Sequence, residues 1–232
     1  MNNNPLRYTD PTGHICNESG SNCESIDGKS SADRAKYVMR ILEKTYNINI
    51  KGSWDYSEIM VLNSSLEKMA ELAGGTSNLQ DVFHDALENN ESSVDKITFF
   101  NGTKEEGIAQ CGTERACWNR DTGTIVMSDY HFKEEYQKST LHIPGQYLPQ
   151  DLEVYVQKSI LHEMSHVFTD ASPASTTVYG WQVDNSAAFG NSAYESSANA
   201  IALYILTGGN YYGFQDQMNF VDAIRPLWNI TP

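Results

Sequence analysis

Nowhere in the 232-residue sequence is there an apolar run of the roughly 20 residues that a membrane-spanning helix needs. The start, Met1-Asn-Asn-Asn-Pro5, lacks the basic and apolar regions of a secretory signal. The chain is therefore expected either to stay inside the cell or to be a piece of a longer secreted protein. Cations are scarce as well. Sixteen Lys and Arg face thirty Asp and Glu, for a net charge of −14. Binding to nucleic acid wants clustered Lys and Arg, so that class of partner is disfavoured. The acidic balance suits a soluble secreted protein, or one that meets a basic substrate or inhibitor. There are only four cysteines, Cys16, Cys23, Cys111 and Cys117, and no Cys-x-x-Cys pair. A zinc knuckle is thus disfavoured. The spacings suit two local disulfides, Cys16–Cys23 and Cys111–Cys117, which would imply an oxidising compartment, with free thiols as the alternative.

Hydrophobic residues make up 40% of the chain and aromatics 11%, enough for one sizeable core. Residues 1–30 are polar, rich in Asn, Ser and Gly, and read as a linker; residues 31–232 read as the domain. Ala35, Val38, Ile41, Leu42 and Tyr46 recur at helical spacing and predict a helix from Ser31 to Tyr46. A second follows from Ser57 to the stop at Gly74-Gly75, and a third opens on Ser77-Asn-Leu-Gln80, which reads as a capping box. Strand character then takes over. Ile97–Phe100 is one strand, and 116–118 and 124–128 flank a hairpin connection. Thr124–Asp129 is the candidate edge strand of a small sheet.

The chain is organised around His162-Glu163-Met164-Ser165-His166, an H-E-x-x-H motif within a helix predicted from about residue 150 to Thr169. Residues four apart stack on one helix face, so His162 and His166 can grip one Zn²⁺. Glu163 stands beside them, where a carboxylate can act as general base on a polarised water. Three strongly polar side chains between Ile160, Leu161, Val167 and Phe168 are costly to bury unless they pair or bind metal. His84, His131 and His142 have no useful spacing to the motif and are expected not to be ligands.

A catalytic zinc needs a third protein ligand. No His follows His166, which excludes an H-E-x-x-H-x-x-G-x-x-H site. Five carboxylates do follow: Asp170, Asp184, Glu195, Asp216 and Asp222. Glu195 is preferred because it opens an Ala-rich helical run, with Ala198 and Ala202 on its face to allow close approach; Asp184 is the runner-up.

These motifs resemble the gluzincins, in which a Glu on a second helix after H-E-x-x-H completes the metal site. Glu195 lies 29 residues beyond His166, and Thr169-Asp170 is similar to the thermolysin-like H-x-x-T-D continuation. The Ala-rich Glu helix looks more like that of the lethal-factor type of catalytic domain. The resemblance covers about residues 95–207 and implies an α+β, zincin-like fold. In it a small mixed sheet with a hairpin packs on the motif helix, and a mainly helical C-terminal lobe follows. It implies a zinc metalloendopeptidase with His162, His166 and Glu195 on Zn²⁺, Glu163 as base, and Tyr179 or Tyr194 donating to the oxyanion. Asp170 and Asn199 would orient the ligand imidazoles from behind. Asn199 stands where thermolysin-like enzymes carry an acid, so that support is expected to carry less charge.

A second resemblance lies near the start. Asn4-Pro-Leu-Arg-Tyr-Thr-Asp-Pro-Thr-Gly13 is similar to the closing segment of RHS-repeat (YD-repeat) shells, which is followed in that family by a variable toxin domain. It covers about ten residues. It implies a toxin domain secreted, or delivered into a target cell, as part of a larger polypeptide, with a protein or peptide substrate and a cognate immunity protein. Two other functions are open: a peptidase that processes its own parent, and a non-catalytic interaction module that carries zinc.

Overall fold

In the computed structural model of the chain, described residues are 14–15, 24–25, 28–133 and 152–171, together with helical residues 198–199, 201–202 and 204–206. Two short strands, β1 (His14–Ile15) and β2 (Glu24–Ser25), pair antiparallel inside the stretch read as linker. Cys16 and Cys23 fall outside the described residues.

Helix α1 runs over Ser31–Tyr46, as its apolar spacing predicts. Ser30 caps it by accepting from the Asp33 N–H at 3.2 Å, and Asn47 ends it in the left-handed conformation. Helix α2 (Tyr56–Ala73) starts on Asp55 with a reciprocal capping box to Glu58. It stops at Gly74, whose φ of 82° needs a residue without Cβ. Helix α3 (Thr76–Asn89) follows at once, and this corrects the expected cap. Gly75, not Ser77, is the N-cap and no side chain caps the end. Only two residues separate α2 from α3, so the cap position falls on the second glycine.

The sheet has the order β3-β4-β6-β5, with β3 Asn49–Gly52, β4 Thr98–Gly102, β5 Cys117–Asn119 and β6 Thr124–Ser128. Strands β3, β4 and β6 are parallel, and β5 returns antiparallel as the other arm of the predicted hairpin. The class is therefore α+β with a small mixed sheet. Thr124–Ser128 is not the edge. It lies between β4 and β5, all five of its residues are buried, and the edges of the sheet are β3 and β5. The reason is two-sided covering, which favours a continuous apolar run. Ile125 and Met127 join the main core with Phe99, while the short helix α4 (Lys104–Cys111) packs Gly107 against Ser128. Phe83 of α3 meets Phe99 edge-on with ring centres 6.5 Å apart. A disulfide joins Cys111, at the end of α4, to Cys117, at the start of β5, as the spacing predicts.

A 3-10 turn, Asp129–Phe132, leaves β6 and buries His131 to 2% exposure. The Ser128 N–H donates to His131 Nδ1 at 3.0 Å. Burial pushes the imidazole pKa down to about 4. The folded state thus binds fewer protons than the unfolded state between the ordinary value near 6.5 and about 4. Stability is unaffected by this group above pH 6.5, falls as pH drops to 4, and levels off below it. Its full size is about 3 kcal/mol. Denaturant unfolding at pH 7 and pH 4 should show a smaller loss for His131→Gln, whose amide oxygen can still accept from Ser128; equal losses would rule the effect out.

Helix α5 (Leu152–Asp170) carries the motif and packs on α2, α3, β5 and the 3-10 turn. Gln157 Nε2 donates to Ser64 Oγ of α2 at 2.8 Å. Among the described residues no helix is long and apolar enough to cross a membrane.

Candidate metal centre

One side of α5 is an ordinary core stripe: Val156, Ile160, Leu161, Met164, Val167 and Phe168 are at most 2% exposed. This stripe fixes the rotation of the helix, and the rotation puts the motif on the opposite side. Ser165 and Thr169 return their hydroxyl protons to the carbonyls of Leu161 and Ser165, at 2.6 and 2.9 Å, and so need no outside partner.

His162 is half-buried, while Glu163 and His166 are 7% and 4% exposed. The two imidazoles stand at right angles with centroids 4.7 Å apart. Their Nε2 atoms converge to 3.1 Å. One donor atom from each of His162, Glu163 and His166 lies within 4.8 Å of the others, so the group could hold a metal ion.

The far nitrogen of His162 is held from another part of the chain. His162 Nδ1 lies 3.2 Å from Asn199 Oδ1. An amide oxygen only accepts, so Nδ1 carries the proton and Nε2 presents its lone pair to the centre, the tautomer a ligand requires. The contact expected of Asn199 is with His162. Ala198 and Ala202 are both fully buried, in keeping with a close approach of this segment. Removing the amide with Asn199→Ala should weaken metal affinity about 10- to 100-fold. Competition with a chelator of known affinity measures this, and an unchanged affinity would deny Asn199 the role.

Asp170 was expected to orient an imidazole and does something else. Its carboxylate accepts from Arg120 Nε and from the second guanidinium nitrogen, both at 2.8 Å, from Trp118 Nε1 at 2.8 Å, and from Asn90 Nδ2 at 3.2 Å. Its backbone oxygen accepts from Asn89 Nδ2 at 2.8 Å. A guanidinium matches a carboxylate with two parallel bonds, and that match draws the side chain to the hairpin. Nothing local in the sequence pairs residue 170 with residues 118 and 120; the contact depends on how the hairpin lies across the helix.

Glu195, Tyr179, Tyr194 and the runner-up Asp184 lie outside the described residues, as does His142. His84 is exposed and 3.4 Å from Glu88, and His131 is committed to Ser128, so neither joins the centre. Lys158, one turn before His162, has its ammonium pKa lowered by burial. Compared with protein-family models, curated proteins and solved structures, the chain matches none.

Proposed function

We propose that the domain is a zinc-dependent endopeptidase, and that it serves as the toxin part of a larger RHS-type polypeptide. The observation that carries the peptidase reading is the convergence of two imidazole Nε2 atoms, 3.1 Å apart, beside the buried Glu163. Two nitrogens held tetrahedrally at ~2.0–2.1 Å from one Zn²⁺ are about 3.3 Å apart, so the pair fits that ion. Imidazole donors also suit zinc among the common metals. Glu195 is the proposed third ligand, on the gluzincin resemblance.

Zinc, when bound, supplies Lewis acidity for a water and a carbonyl. The residues of this chain do the rest. Asn199 holds the His162 ring in its ligand tautomer. The Glu163 carboxylate takes a proton from the attacking water and passes it to the leaving amine. Strand β5 offers edge backbone groups to an extended peptide. Tyr179 and Tyr194 are the proposed oxyanion donors. A purely structural metal needs no carboxylate between its ligands, which favours hydrolysis over an interaction module.

The toxin reading rests on the decapeptide Asn4–Gly13, and with it come a target-cell protein as substrate and a cognate immunity protein. The deciding experiment incubates the purified chain with a peptide mixture, with and without a strong chelator. Products are read by mass spectrometry and zinc by elemental analysis. About one zinc per chain and chelator-sensitive cleavage are expected. One bound zinc with no cleavage of any peptide would end the peptidase reading. Intracellular expression in bacteria tests the toxin reading, and unimpaired growth beside a cleaving enzyme counts against it.

A further inference from the structure

The last residue of α5 poses a problem that the metal centre does not answer. Asp170 is only 9% exposed and sits at the C-terminal end of a helix, where the backbone dipole disfavours a negative charge. The ion pair is buried on the Asp170 side alone, since the Arg120 side chain is 47% exposed, and a pair open to water adds little net stability. The best-attested use of a buried charge held by specific donors is to fix a register. Asp170 stands one turn beyond His166 on the same helix. Its donors come from two other elements: Trp118 and Arg120 from the hairpin, and Asn90 from the end of α3.

The hairpin strand needs such a fixture. β5 is three residues long, none of them fully buried, and it bonds to the sheet through β6 alone among the described residues. Its first residue is tied by the disulfide to the end of α4. Its middle residue and the one that follows it by two are tied to Asp170. Trp118 on the strand and Arg120 in the turn just after it reach the same carboxylate at the end of the helix.

We propose that Arg120 and Trp118, acting through Asp170, are positioning residues that set β5 at a fixed height against the His166 turn, so that a peptide lying along β5 presents one chosen bond to Glu163. This rests on the peptidase reading above. None of the three is a catalytic residue, and their effect is on where the substrate lies.

The test uses a peptide that the wild-type chain cuts at one bond. Arg120→Met and Arg120→Lys are compared for cleavage position, kcat, KM and zinc content. Arg120→Met is expected to retain zinc, to lower kcat/KM about a hundredfold through misplacement of the substrate, and to scatter cleavage onto neighbouring bonds. Arg120→Lys, which keeps the charge but loses the two-pronged match, should fall between; if Arg120→Met does not fold, the lysine variant carries the test by the same readouts. A variant that loses activity in proportion at a single unchanged bond, or that keeps wild-type activity, overturns the proposal and leaves the peptidase reading standing. Absence of cleavage by wild type defeats both.

Discussion

Glu163→Gln will bind zinc like the wild type and lose peptide cleavage by about 10²- to 10⁴-fold, the range a positioned general base contributes. The amide has almost the same shape as the carboxylate and cannot take a proton at neutral pH. Glu163 is 7% exposed on a helix whose buried stripe already fixes its rotation, so the change should not move His162 or His166. Zinc content, kcat and growth inhibition on intracellular expression are measured on the same pair of proteins. Loss of zinc together with activity would make Glu163 a ligand rather than a base. Undiminished cleavage would remove it from the chemistry, and equal toxicity of both proteins would place the killing elsewhere.

His166→Ala will remove the metal, with affinity falling at least about a hundredfold, since one ligand's share of a typical zinc-binding free energy is a few kcal/mol. The readout can be thermal unfolding. A metal present at a thousand times its Kd stabilises the folded state by about 4 kcal/mol. For a domain of this size that is a shift of roughly 10 °C. Wild type should lose it on chelation, and His166→Ala, with metal at about ten times its weakened Kd or less, should keep at most about a third of the shift. Val167 and Phe168 still hold the helix in its place, so the variant should remain folded. A chelator-dependent shift of wild-type size in His166→Ala would put the ion somewhere else.

The helices were legible because their apolar residues recur at one period over three or more turns. Val38 and Leu42, or Leu62, Leu66 and Met69, are fully buried where that period puts them. The centre was legible because both imidazoles sit on one helix, so local spacing fixes their convergence. Asn199 was legible only through a family pattern, since 37 residues separate it from His162. Four features escaped. Strand β3 has one buried apolar residue in four and gives no alternation to read. Helix α4 is eight residues long with Gly107 in its middle, although its capping box, Thr103 with Glu106, was a usable signal. The edge of the sheet was misassigned because Ile125-Val-Met127 is apolar throughout, which marks a strand covered on both faces and so an interior one. The role of Asp170 was hidden in principle: spacing tells which side of a helix a carboxylate occupies, and only the tertiary fold tells which cation arrives there.

The order of the elements along the chain also dictates an order of events at the ribosome. The four-stranded sheet and helices α1 to α4 are all encoded before α5 begins at Leu152. Proteins emerge N-terminus first, at about 5–20 residues per second, and parts that can fold do so as they appear. The motif helix is therefore made after every strand of the four-stranded sheet, and Asn199 arrives about 2–7 s after His162 at those speeds. A growing chain thus carries His162, Glu163 and His166 before it carries Asn199, and so before the His162 ring has the partner that holds its tautomer.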